Sequence, residues 1–376
     1  MKMTKTKLLA ACAAILAITW LLLMLTRATA PAAHWAQKLE AAERTQACLA
    51  AVRQLKEDRG VPISAVNDIN HTGVIGQDYS LITTTLGNLE AKRTSTNPNM
   101  AAMVVDMFCE LGLEPGDKVA VNCSGSFPAL NLAVLCAIEV MELDPLLMTS
   151  FGSSTHGAND PELTYLDMEY ALYQQGLLGI RSDCFSIGGL EDVGGDMNPA
   201  VVQTIVDRLT GCGYPFYYEA DLLDNIHRRF ELYQDYGDIR CFINVGGNDV
   251  SFGNSKIIVY SDGGILTALP ENDHSTGLVQ LFLAENTPVI HLLNVKSLAT
   301  AYGLPIDPSP MPLPGEGGVY FQYTYHKAVA WGGLALTALI CGLGWNSLRT
   351  PEPRWRGRGR PKSRRNGPPT DTREKI

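Results

Sequence analysis

Two uncharged apolar runs bracket this chain and constrain its fold more than any other feature. Residues 8–26 (LLAACAAILAITWLLLMLT) and 328–345 (AVAWGGLALTALICGLGW) each approach the roughly 20 residues that a helix needs to span a bilayer. A core helix could have the same composition, and the first run also suits a cleaved signal peptide, with Ala28-Thr29-Ala30 as the small-residue site. Pro31 directly after that site disfavours processing, so an uncleaved anchor is expected. Before the second run, Tyr320, Phe321, Tyr323, Tyr325 and Trp331 stand where an interfacial aromatic belt would lie.

The flanks set the expected orientation. Lys2, Lys5 and Lys7 precede the first run, and ten Lys and Arg against three acids follow the second. Positive flanks face the cytoplasm, which puts two spans in the cell membrane, both termini in the cytoplasm and the intervening domain on the extracytoplasmic side. The formal charge is −9; with +3 in the head and +7 in the tail, residues 8–345 carry −19. The tail 346–376 is rich in Pro, Gly and Arg with little to bury, so it reads as disordered and drawn to anionic lipid rather than to nucleic acid.

The expected organisation is a cytoplasmic head (1–7), a span (8–26), a membrane-proximal helix and polar loop (27–96), an extracytoplasmic α/β domain (97–303), a Pro-rich stalk (304–319), a second span (328–345) and the tail. Within the domain, Asn97-Pro98, Asp160-Pro161 and Asn198-Pro199 each place a capping residue before a proline at the first helical position. They predict helices near 98–112, 161–176 and 199–211. Short apolar runs at 118–122, 146–149, 184–187, 239–245, 256–260 and 289–293 predict strands. Alternation of the two implies a mostly parallel sheet of Rossmann-like βαβ units covered on both faces, with any ligand beyond the carboxyl ends of the strands. Seven of the nine cysteines lie outside the apolar runs, without a CxxC spacing, so one or two disulfides at most are expected.

Three stretches carry candidate chemistry. In "VAVNCSGSFPALNLAVL" (119–135) a strand meets a helix through Ser124-Gly125-Ser126. A nucleophile elbow wants small residues two before and two after the nucleophile, and neither serine has the G-x-S-x-G frame. An anion cradle fits better, with Ser126 capping the helix and the free N–H groups of residues 124–127 at its mouth. "FINVGGNDVSFG" (242–253) offers a second cradle at Gly246, Gly247 and Asn248, although Asp249 beside it opposes an anion. "SSTHGANDPELTYLDME" (153–169) contains His156 and Asp160, the available base and acid for a serine nucleophile. Lys92 and Arg93 in a polar loop could hold a carboxylate or pair with Glu90, and His227-Arg228-Arg229 reads as a solvated helix face. The chain has no G-x-G-x-x-G, P-loop or H-E-x-x-H motif, so no cofactor or metal is expected and no catalytic signature is complete.

Taken together, "DINHTGVIGQDYSLITTTLGNLEAKRTSTNP", "NCSGSFPALN", "SSTHGANDPELTYLDME", "NVGGNDVSFG" and "GLPIDPSPMPLPGEGGVY" between two spans resemble the poly-gamma-glutamate system protein family. The resemblance implies a bacterial membrane protein that assists synthesis or export of a polyanionic capsule polymer, and it brings no catalytic residues with it. It leaves two expectations. The favoured one is an accessory component that handles the polymer or the synthase and exporter proteins on the outer side. The alternative is a γ-glutamyl hydrolase or transferase with Ser124 or Ser126 as nucleophile and His156 as base.

Overall fold

The apolar runs between residues 118 and 292 form a six-stranded sheet. The computed structural model describes residues 5–253, 255, 263–269 and 271–348, and divides into a unit built from the two ends (Met1–Ala28, Tyr323–Ile376) and a larger unit, Thr29–Gln322. The strands are β1 (Lys118–Ser124), β2 (Asp144–Ser150), β3 (Cys184–Ser186), β4 (Ile239–Val245), β5 (Gly264–Leu266) and β6 (Val289–Leu292). In space they run β3-β2-β1-β4-β6-β5, all parallel except the edge strand β5. From β1 the chain steps outward through β2 to β3, then returns to place β4 on the other side of β1. The loops that leave β1 and β4 therefore diverge over a crevice at the carboxyl edge, where open α/β sheets bind ligands.

Register aligns Ser124, Ser150 and Ser186 in one row along that edge. Alternation along β1 sends Val119, Val121 and Cys123 to one core, which is shared with the helices α2 (Trp35–Asp58), α4 (Met100–Glu110) and α5 (Pro128–Val140). Ala120 faces the opposite core, built by α8 (Leu222–Tyr236) and α10 (Leu278–Ala284), where Phe242 and Phe282 stack at 4.4 Å. A third cluster under α7 (Pro199–Gly211) covers β3. Helix α5 is buried on every side from Pro128 to Ile138, because α2 lies over it with Ala41, Ala42, Cys48 and Val52 turned inward.

Several local expectations change. Only Asn198 caps as expected, its Oδ1 accepting from Ala200 N and Val201 N at the head of α7. Asp160 lies instead in a two-residue hairpin with residues 163–164, and α6 (Tyr165–Gln174) starts with a Thr164/Asp167 capping box. Asn97 folds a turn one step early, accepting from Asn99 N, so α4 opens at Met100. The short edge strand β5 is not among the expected strands, because it follows Gly263, opens on Gly264 and offers only Ile265 and Leu266 as apolar residues. The expected strand at 256–260 and the tail beyond 348 lie outside the described residues.

The expected boundary at residue 96 and the stalk at 304–319 do not separate from the domain. Both pack within the larger unit: Leu304, Val319 and Tyr320 are buried, Asn99 Nδ2 donates to Leu313 O at 2.9 Å, and Asn70 Nδ2 donates to Pro308 O at 2.8 Å. Buried Lys38 fastens α2 to the same corner through Asp106 at 2.6 Å and Val319 O at 3.1 Å. All nine cysteines are free thiols.

In the other unit, α1 (Lys5–Leu25) and α12 (Lys327–Leu348) are each long and apolar enough to cross a membrane by length and composition. They pack side by side, Gly333 meeting Thr19 and the Cys12 and Cys341 sulfurs 3.4 Å apart.

Candidate functional site

Strand β1 ends in a turn that is held from three sides. Gly125 N donates to Ser150 O at 2.9 Å, while Ala158 N and Ser153 Oγ donate to Gly125 O at 2.8 and 3.0 Å. A glycine is required because a Cβ there would stand 2.5 Å from Phe151 O. The expected cap is corrected: Phe127, not Ser126, occupies the N-cap position of α5, and no side chain caps the helix. Ser126 Oγ instead accepts from Ser154 N at 3.1 Å, tying the turn to the loop after β2. Since Gly125 N is spent on Ser150, the expected row of free N–H groups at 124–127 is broken.

The loop after β4 reaches the same crevice. Gly246, at φ 80, donates its N–H to Leu292 O at 2.9 Å, and Asn248 caps α9 (Asp249–Phe252) by accepting from Ser251 N at 3.0 Å. Ser124, Gly247, Asn248 and Asp249 line a cleft of about 200 Å³ together with Asp196. Two carboxylates therefore face the atoms expected to cradle an anion, which makes this cleft a poor anion site. Asp249 accepts from Glu191 N at 2.7 Å, yet burial, reinforced by the charges of Asp192, Asp196 and Glu191, raises its pKa.

Immediately beside it lies a second cleft of about 420 Å³, which shares Thr85, Ser126 and Gly247 with the first. Here the charge is basic. Lys92 was expected in a loop, but Asn88 caps a helix, α3 (Leu89–Ser95), by accepting from Ala91 N at 2.8 Å, and Lys92 lies on its buried side. Its Nζ contacts Ser126 O, lies 2.7 Å from Ser154 Oγ and sits 3.7 Å from the Phe127 ring centroid. Burial lowers its pKa to about 7. Lys296, on α11 (Val295–Ala301), lines the outer part of the cleft and holds Glu90 at 2.6 Å, so the expected partner of Glu90 is replaced.

A depressed lysine leaves a signature in stability. Against an ordinary value of 10.5, the folded domain gives up the Lys92 proton near pH 7 while the unfolded chain keeps it, so stability rises as pH climbs between those values and is lost as pH falls through about 7. Each pKa unit corresponds to roughly 1.4 kcal/mol. Thermal unfolding of Lys92→Met should therefore compare best with the native protein near pH 6 and worst near pH 10; a pH-independent gap would show that Lys92 is not desolvated.

The other sequence candidates are not brought to these clefts. His156, at φ 61, turns its Nδ1 to 3.5 Å from Asp78, and burial lowers its pKa. Asp160 accepts from Glu162 N at 2.9 Å and from Gln77 Nε2 at 3.2 Å. The expected Ser124 or Ser126, His156 and Asp160 arrangement is thus not assembled. Arg93 is committed to Asp307 at 3.1 Å and to Asn67 O at 2.9 Å, which leaves it to fasten the 304–320 segment.

Below the crevice runs a buried polar network centred on Arg229, a residue expected on a solvated helix face. Arg229 is 1% exposed; it pairs with Asp192, donates from Nε to Asn225 Oδ1 at 2.8 Å and lies 4.9 Å from the Tyr217 ring centroid. Asp192 also accepts from Ser186 Oγ and Asn225 Nδ2, at 3.0 and 3.1 Å. Next to it, Asn122 Nδ2 donates to Asn244 Oδ1 and Ser251 Oγ at 3.0 and 2.9 Å. Helical spacing was the overlooked signal: Asn225, Ile226, Arg229 and Tyr233 form one buried stripe of α8.

Among the described residues no group of three or more His, Cys, Asp or Glu converges as a metal site would require. No protein-family model, curated protein or solved structure matches the chain.

Proposed function

We propose that this is a membrane-anchored component of poly-γ-glutamate synthesis or export, with α1 and α12 as spans, both termini cytoplasmic, and a Rossmann-like domain handling the polymer or its synthase and exporter proteins outside. The observation that carries the reading is the basic cleft of Lys92 and Lys296 at the carboxyl edge of the sheet, in a chain flanked by two apolar helices. Four of the segments that resemble the polymer-system family contribute to that cleft, residues 83–94 supplying Lys92, 122–131 Ser126, 153–167 Ser154 and 244–248 Gly247, whereas Asn70, His71 and Thr72 of a fifth segment line a separate cleft.

Charge limits how such a cleft could work. A net −19 over residues 8–345 repels a polyanion at range, and salt confines that repulsion to roughly 8–10 Å. Capture then depends on the local lysines, and ordinary salt both weakens the attraction and relieves the repulsion. The test is equilibrium binding of poly-γ-glutamate to the full chain in detergent at low and moderate salt. Measurable binding that Lys296→Glu reduces supports polymer handling; no binding at either salt removes the polymer from the proposal and leaves protein partners.

A further inference from the structure

The cleft holds a pair of groups that binding alone does not require. Ser154 Oγ and Lys92 Nζ lie 2.7 Å apart, within the range over which an amine takes a hydroxyl proton. We infer that Ser154 and Lys92 form a nucleophile and general-base pair for acyl transfer, acting on an amide or ester carbonyl admitted to the 420 Å³ cleft. The inference does not depend on poly-γ-glutamate being the polymer handled.

Three features of the geometry support it. Both residues line the cleft, so the hydroxyl is reachable by a ligand although Ser154 is only 7% exposed. Each partner is held by a different element. Helix α3 carries Lys92, whose Nζ is directed by Ser126 O and the face of Phe127, while Ser154 is anchored through its own N–H to Ser126 Oγ. The approach is also kept open by Gly87, where a Cβ would come 2.9 Å from Lys92 Cε and 3.1 Å from Ser154 Oγ. This differs from the serine and histidine arrangement expected from sequence, because the base is an amine and the nucleophile sits on the loop after β2.

Lysine serves as a base only when neutral. The titratable and charged groups near Lys92 are Glu90 and Arg93 on its own helix, Lys296 on α11, and His156 on the 153–158 loop, whose imidazole is kept toward the neutral form by burial. Glu90 is occupied by Lys296 and Arg93 by Asp307, and no carboxylate among the described residues pairs with Lys92 Nζ. Burial lowers Lys92 to about 7, which leaves a substantial neutral fraction at physiological pH.

The steps balance without a cofactor. Ser154 Oγ adds to the carbonyl carbon as its proton passes to Lys92 Nζ. The tetrahedral intermediate collapses, the carbonyl carbon to nitrogen or oxygen bond breaks, and Lys92 returns the proton to the leaving group. Water, or an amine in a transfer reaction, then adds to the Ser154 ester and gives its proton to Lys92. Collapse releases the acyl product and restores the Ser154 hydroxyl with the proton from Lys92.

The test uses the full chain in detergent and an alkyl fluorophosphonate, whose phosphorus is attacked by an activated serine with loss of fluoride. Peptide mass mapping should place the adduct on Ser154, with a labelling rate that rises with pH and levels off above about 7. Ser154→Ala should remove that adduct, and Lys92→Arg, which keeps a cation but no base, should slow labelling by about 10²-fold or more. Because either variant could perturb folding, the wild-type protein decides by itself: no adduct, an adduct on Ser124 or Ser126 instead, or a pH-independent rate would overturn the inference.

Discussion

Replacing Arg229 by methionine lowers the unfolding free energy of the 29–322 unit by about 3–5 kcal/mol, the usual cost of removing one member of a fully buried ion pair. Arg229 and Asp192 side chains are each 1% exposed, so the lost guanidinium leaves a carboxylate with only Ser186 and Asn225 to solvate it. Adding Asp192→Asn should return part of that loss. The amide keeps an acceptor and tolerates φ 64 at this position, while the uncompensated charge disappears. Urea titrations of the single and double variants measure both effects, and a single variant within about 1 kcal/mol of native would mean that water reaches the pair. The pair is also a route by which the second loop is held, since Glu191 next to Asp192 donates its N–H to Asp249 in the acidic cleft.

The second large effect is Gly125→Ala, expected to cost about 3 kcal/mol because the new methyl meets backbone rather than a side chain that can rotate away. Its 2.5 Å approach to Phe151 O can be relieved only by parting the turn after β1 from the loop after β2. That movement pulls Ser126 from Ser154 N, so fluorophosphonate labelling of Ser154 should fall along with the melting temperature. Unchanged labelling in a destabilised variant would show that the two loops are positioned independently.

The sequence was most informative where one physical requirement dominated. Strand β4 lies at 239–245 as expected, since a central parallel strand must be apolar on both faces, and β1, β2 and β6 were placed to within a few residues for the same reason. Capping was less secure. Asn-Pro and Asp-Pro favour a helix start equally well whether or not tertiary contacts take the chain elsewhere, and the Asp160 side chain is used by Gln77 and Glu162.

The candidate site was legible only in outline. Its loops, after β1 and β4, follow from strand order and glycine placement. Its chemistry depends on what the 83–94 segment places over them, and a polar segment without period gives little warning that Lys92 will be buried. One clue was present: Asn88 followed by Leu89-Glu90-Ala91 is a helix start, which would have put Lys92 one turn in and on the side of Ala91 rather than in a loop. Arg229 was misplaced because three consecutive basic residues suggest solvent, whereas a helix separates neighbours by 100° and can bury one of the three. Arg228, beside it, is 68% exposed.

The two ends of the 29–322 unit meet, Ala32 N donating to Tyr320 O at 2.8 Å and Gln322 Nε2 reaching Pro31 O at 3.3 Å. Topologically the unit is therefore a cassette. It leaves and re-enters its surroundings at a single point, so its sheet and clefts have no need of the particular segments on either side. Grafting it into an exposed loop of an unrelated host, or permuting the chain by joining residues 29 and 322, should preserve its cooperative unfolding, as is usual where chain ends lie together. Tension drawn between its ends would load that junction first and leave the parallel strands at rest.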